Sequence, residues 1–263
     1  MRLYVELAKK SFQRQVVYRG ATLAGFVTNL FFGNLRAAVM IAVYGASTNV
    51  AGYSLGDAIT YTGITQALIG GMAMWGWYDM IRSIKSGEVA SDLSKPFDYY
   101  GFWLAQDVGR SLYQLLARGV TIMIAYGLIF RISVPATLEQ WALLLISLAL
   151  GILISFAWRF LVSTAAFWMT DASGFARMAY FLVLFPSGFL VPVAFMPPWL
   201  QAVCRATPFP SVIDTPSRIY LGQSQGAEAV ALIVTQVFWS IVLTLAGRLV
   251  MEAGRWKLTI QGG

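Results

Sequence analysis

The sequence of 263 residues has no histidine and a single cysteine, Cys204. Without histidine no Ser-His-Asp hydrolase can be assembled, and with only one cysteine the usual zinc and haem ligand sets are missing too. A lone thiol also excludes a disulfide within the chain. Charge is scarce: Asp, Glu, Lys and Arg together make up 12% of the residues, about half the share of an ordinary soluble domain. Carboxylates are missing from the centres of the apolar runs, since Asp57, Asp79, Asp107, Glu139 and Asp171 fall toward their ends. That argues against a proton-coupled carrier, which needs an ionisable relay at mid-membrane. No Gly-x-x-x-x-Gly-Lys-Ser/Thr loop occurs, and no Gly-x-Gly-x-x-Gly follows a strand. The chain therefore has no recognisable cradle for ATP or a dinucleotide.

What abounds is apolar side chain, 58% of the residues at a mean hydropathy of +0.65. One soluble core of this length cannot enclose so much, so the excess must face lipid. The formal charge of +7 could suggest nucleic acid, but the basic residues sit at the edges of apolar stretches and form no separate patch, so no nucleic-acid partner is expected. The expected fold is an all-α integral membrane protein with six transmembrane helices, at Gly20–Tyr44, Gly56–Tyr78, Leu112–Phe130, Trp141–Trp168, Ala176–Phe195 and Ala229–Val250. One membrane domain covers 1–263, with an interfacial segment 1–19, spans over 20–250 and a tail 251–263. Six spans put both termini on one side. That side holds twelve Lys or Arg residues, against Arg131, Arg205 and Arg218 on the other, so both termini are expected in the cytoplasm. The N-terminus lacks the order of a cleaved signal peptide, so the first span is expected in the mature protein.

Residues 1–19 place Leu3, Leu7, Phe12 and Val16 at mostly four-residue spacing, with Lys9, Lys10, Gln13 and Arg14 between them. This predicts a basic amphipathic helix at the membrane interface, the alternative being a frayed polar leader. Between spans 2 and 3 lies a polar segment in which Glu88–Leu93 can form one or two helical turns, bounded by Gly87 and by the stop at Lys95-Pro96. Residues 196–228 carry Pro197, Pro198, Pro208, Pro210 and Pro216 among apolar side chains. Too apolar for a free loop and too rich in proline for a span, this stretch is expected to dip into the outer leaflet.

Within the spans, Arg36 with Asn29 and Asn34 is a candidate contact for an anionic or polar substrate, or an arginine held structurally. Arg110, Arg118 and Arg159 invite the same two readings, with snorkelling favoured for Arg110. Trp75, Trp77 and Tyr78 look like an aromatic belt, and Gly70-Gly71 permits close helix approach. Pro186 and Pro192 should kink span 5, as a gate or as plain packing distortion.

Several short stretches carry a family likeness: Leu7-Ala8-Lys9-Lys10-Ser11-Phe12, Ile84-Lys85-Ser86-Gly87-Glu88-Val89 with Leu93 and Lys95-Pro96, Phe195-Met196-Pro197-Pro198-Trp199-Leu200, and the closing Gln261-Gly262-Gly263. With the full-length layout, they resemble the membrane subunits of ABC-2-type ATP-binding-cassette exporters. The resemblance implies six spans, an interfacial N-terminal helix, a cytoplasmic coupling helix between spans 2 and 3, and a re-entrant extracellular segment before span 6. It implies a bacterial inner-membrane permease that exports a hydrophobic or amphipathic compound as a dimer with an identical or sister permease. A separate soluble ATPase would bind ATP and magnesium, leaving this chain without a cofactor and non-catalytic. Gly87, Glu88, Val89, Asp92, Leu93, Lys95 and Pro96 would then dock on the ATPase, unless the segment is an ordinary solvated loop. A membrane-embedded enzyme or biogenesis factor acting on lipid, and a channel or gradient-driven carrier, are the alternatives from other classes.

Overall fold

The computed structural model describes residues 2–45 and 47–257, and for Arg19 the backbone alone. The last six residues of the expected tail, 258–263, including Gln261-Gly262-Gly263, lie outside the described residues. The elements are α1 (Arg2–Val17), α2 (Arg19–Tyr44), a two-stranded antiparallel hairpin of β1 (Asn49–Val50) and β2 (Tyr53–Ser54), α3 (Leu55–Gly71), α4 (Asp79–Lys85), α5 (Glu88–Leu93) and α6 (Tyr99–Gln114). They continue through a π-helical turn at Leu115–Gly119 into α7 (Val120–Ile129), then α8 (Leu138–Ser163), α9 (Ala172–Leu184), α10 (Pro198–Arg205), α11 (Asp214–Tyr220) and α12 (Gly226–Arg255). Among the described residues, four helices are long and apolar enough to cross a membrane: Gly20–Tyr44, Tyr99–Ile129, Leu138–Phe167 and Gly226–Arg255.

Local chemistry explains several helix starts. Ser54 and Asp57 form a reciprocal capping box on α3, each side chain accepting the other's backbone N–H, at 3.2 and 3.1 Å. Asp98, Thr137 and Asp171 cap α6, α8 and α9 by accepting the N–H three residues on. α10 opens on Pro197-Pro198, where the missing N–H is no loss.

Three expectations need correction. The run Gly56–Tyr78 is helical only to Gly71: the chain turns at 72–78 through Ala73 and Gly76, both at positive φ, and resumes as α4. Trp75, Trp77 and Tyr78 sit in that turn and form no belt. Trp77 packs edge-on to Trp103 at 5.1 Å and donates its indole N–H to Asp79, Tyr78 meets Tyr180, and only Trp75 is exposed. The run Ala176–Phe195 is a helix only to Leu184: Phe185 keeps helical backbone angles, but Pro186 has no N–H to continue the ladder and its ring crowds the turn before it. Pro186 thus ends α9 and does not kink it, and Pro192 lies beyond the helix, where residues 185–192 form turns ahead of a short 3₁₀ turn at Val193–Phe195. The expected span Leu112–Phe130, in contrast, is the second part of a longer helix that starts at Tyr99.

α1 packs along α6 rather than only lying beside it. Ser11 donates to the Gln106 carbonyl at 2.6 Å, Phe12 meets Tyr113 edge-on, and Gln114 reaches Gln15. Gly109 permits this, because a Cβ there would run into the Ala8 carbonyl. The packed face includes Tyr4, Leu7, Ala8 and Ser11, so Leu3 falls off the expected stripe and is exposed.

α8 and α12 pair lengthwise, and the 196–228 segment folds down between them. Gln236 of α12 donates to the carbonyls of Ser147 on α8 and of Ser211, at 3.1 and 2.7 Å. Ser211 therefore lies level with Gln236, about 15 Å along α12 from its start at Gly226.

Candidate functional site

At one end of the bundle, α4 and α5 form a small knob. Gly87, at φ +80°, turns the chain between them in a left-handed conformation that favours glycine. Glu88–Leu93 is helical as the sequence suggests, and the segment beyond it is held by a 2.7 Å ion pair between Lys95 and Asp92. Lys85, Gly87, Glu88, Ala90, Ser91, Lys95 and Pro96 are exposed, while Asp92 and Leu93 are half-buried. Val89 points the other way. It is fully buried among Met80, Ile84, Tyr99, Tyr100 and Phe160, so it anchors α5 to the bundle instead of facing a partner.

Directly behind the knob lies a buried ionic cluster that the sequence did not disclose. Asp107 of α6 receives both Arg159 of α8, at 3.1 and 2.8 Å, and Arg110 of its own helix, at 3.0 and 2.8 Å. Arg110 also donates to the carbonyls of Gly70 and Gly71, and Ser111 donates to Gly71. Ser155 of α8 donates to Met72. Gly70 and Gly71 close α3 and Met72 follows them, so the cluster binds the exposed carbonyl end of a helix broken inside the bundle. Arg110 is therefore largely enclosed and paired, not snorkelling, and Asp107 is fully enclosed. The available signal was the three-residue spacing from Asp107 to Arg110, which places them on one helix face. Nothing in the sequence tied Arg159 to them.

A second polar layer lies toward the hairpin end. Arg36 of α2 donates to Thr65 of α3 at 2.9 Å and to the carbonyls of Phe189 and Leu190, and its guanidinium lies 5.0 Å from the Phe189 ring centre. The turn after Pro186 is thus tied to α2. Tyr61 of α3 donates to Asp214 and to the Gly188 carbonyl, and Asp214 accepts the Val193 N–H. Asn29 donates to the Gln66 carbonyl at 3.3 Å, whereas the amide oxygen of Asn34 is buried without a partner. The structure therefore brings Arg36 and the 186–190 turn together, while Pro192 sits at the 3₁₀ turn held by Asp214.

An apolar cleft of about 1020 Å³ opens between α3, the α6–α7 helix and α8, lined by Ile64, Leu68, Leu115, Met123, Leu148 and Ile152 among others. The π-helical turn forms part of its wall. No curated protein is a significant match to the chain. A family description does match, that of ABC-2 family transporter proteins, over residues 32–262.

The chain belongs to the ABC-2 transporter family. An ABC-2 chain is a membrane permease subunit of an ABC transporter, a transport component. The match begins inside α2, so α1 and its packing on α6 fall outside it. Among the described residues no group of three or more His, Cys, Asp or Glu could hold a metal ion.

Proposed function

We propose that this ABC-2 permease exports a hydrophobic or amphipathic compound, driven by ATP hydrolysis in a separate soluble subunit that binds the nucleotide and magnesium. It acts with a second permease, identical or a sister chain, in a bacterial inner membrane. The observation that carries the reading is the α4–α5 knob, a short helix after the Gly87 turn, anchored by Val89 and presenting exposed Glu88, Lys95 and Pro96. Seated in a cleft of the ATPase, such a knob transmits nucleotide-driven closure to the helices that hold it. Val89 and the Asp107 cluster stiffen the joint between the knob and α3, α6 and α8, so a push on α5 moves them together.

In this reading the chain is one membrane domain with six spans. α3 and α9, each too short alone, complete spans 2 and 5 together with the turns that follow them. α10 and α11 form a re-entrant outer segment, and both termini are cytoplasmic. The knob end then carries the basic α1 and the Lys- and Arg-rich loops, in keeping with the positive-inside bias. Asn29, Asn34, Arg36, Pro186 and Pro192 remain the proposed substrate pathway. Arg36 acts there chiefly as a strut, since it is tied to Thr65, Phe189 and Leu190, and the Asn34 oxygen, enclosed without a partner among the described residues, is the acceptor offered to cargo when the pathway opens. Co-purification from native membranes tests the proposal. An ATP-binding-cassette subunit should be recovered with the chain and confer ATPase activity that the chain alone lacks; turnover by the chain alone, or no such subunit, overturns it.

A further inference from the structure

We infer that Arg118 forms a binding site for a phosphate oxyanion in the half of the membrane nearest α5, between α2, α3 and the π-helical turn. Arg118 is half-buried, and among the described residues it donates no hydrogen bond and pairs with no carboxylate. Its Nε is enclosed without an acceptor, and the amide oxygen of Gln114 one turn away is enclosed without a donor. A guanidinium left bare at such a position is costly in lipid, where charged groups pair or reach a polar phase.

The surroundings are shaped around the cation. Glycines face it from two helices: a Cβ at Gly25 of α2 would run into the guanidinium, 2.9 Å from Cζ, and one at Gly70 of α3 would lie 3.4 Å from Cζ. Charge is unbalanced as well. Arg110 reaches the Gly70 carbonyl from the other side, and Asp107 is already shared by Arg110 and Arg159. Asp107 is thus committed to two guanidinium groups, and Arg118 adds a third positive charge without a carboxylate of its own among the described residues.

Position selects the ligand. Gly25 lies about 9 Å along α2 from its start, and Arg118 about 20 Å from Arg131 at the far end of its helix. In a hydrocarbon core about 30 Å thick both figures put the site roughly 10 Å below the interface near α5. Helical side chains tilt toward the N-terminus of their helix, which for Arg118 is that same interface. Beside it, Leu23, Val27, Leu116 and Val120 are exposed and offer an apolar surface to acyl chains. A guanidinium binds phosphate through paired, charge-assisted hydrogen bonds. The oxyanion can belong to a lipid headgroup or to a phosphate-bearing solute. Only the naming of the leaflet as cytoplasmic rests on the proposed function.

Native mass spectrometry of the purified full chain tests this with phosphatidylglycerol, diacylglycerol and glycerol phosphate as probes. Wild type should retain phosphatidylglycerol about tenfold better than diacylglycerol, and Arg118→Gln should erase the difference. Displacement by millimolar glycerol phosphate assigns the site to soluble phosphates, and resistance to it assigns the site to lipid. Equal retention by wild type and R118Q, or no preference in wild type, overturns the inference. A diazirine-bearing phosphatidylglycerol cross-linked to wild type gives an answer independent of the variant's folding. Adducts are expected on residues 22–28 and 116–121, and adducts confined to other segments overturn it.

Discussion

Asp107 of α6 and Arg159 of α8 meet through two hydrogen bonds, at 3.1 and 2.8 Å, with both side chains closed off from solvent. Arg110 shares the same carboxylate and extends the contact to the broken end of α3. One carboxylate therefore joins three helices directly behind the α5 knob.

Removing that charge should be severe. Asp107→Asn leaves two buried guanidinium groups without a counter-ion, a loss of about 3–5 kcal/mol for a broken buried pair. Thermal unfolding in detergent should show a markedly lower midpoint. Asp107→Asn combined with Arg159→Met should recover part of it, because the second change takes away one of the stranded charges. A double variant no better than the single would mean that the pair is not coupled.

The two faces of α5 should respond differently. Glu88 is exposed and Val89 fully buried. Glu88→Arg should lower recovery of the ATPase partner about tenfold while expression stays normal, as expected for a central interface charge. Val89→Asp places a carboxylate in the core and should reduce the yield of folded chain itself. Pull-down alongside fluorescence-detected gel filtration separates the two, and identical behaviour would refute the assignment of faces.

The packing of α1 hinges on Gly109. Gly109→Val would drive a side chain into the Ala8 backbone, so α1 should lift from α6. A disulfide engineered between positions 11 and 106, joined in the structure by a 2.6 Å hydrogen bond, should form readily in the parent and poorly in the valine variant. Equal cross-linking would show that α1 is held elsewhere.

Orientation can be read with cysteine labelling, since Cys204 is buried and contributes little background. A cysteine at 88 should react with an impermeant maleimide only in inverted vesicles, and one at 225 only in intact cells. Labelling of both from one side would refute the six-span topology.

The glycine and proline signals in the sequence were legible as interruptions but not in their consequences. Gly70-Gly71 read as a site of close approach, and it is one, with Leu115 pressed against Gly71. That α3 would also end there was hidden, because the partners of its freed carbonyls come from residues 40 and more positions away. Pro186 read as a kink in a continuing span. The turn after it is held by Arg36 from α2 and Tyr61 from α3, more than 100 residues away, and by Asp214, 21 residues beyond Val193, contacts that no local pattern encodes.

By itself the sequence determined the solvent and the local grammar: long apolar runs require lipid, the absence of histidine and of a phosphate cradle excludes whole chemistries, and Gly87 with Pro96 brackets a short helix, because composition and near-neighbour preferences act within a few residues. Only the tertiary structure decided which charges are neutralised and which are not. Asp107, Arg110 and Arg159 became one buried cluster, and Arg118 was left between two glycines without a partner. The reason is physical: in a low-dielectric interior the fate of a charge depends on what lies within a few ångströms of it, and those neighbours are brought together by helix packing rather than by order along the chain.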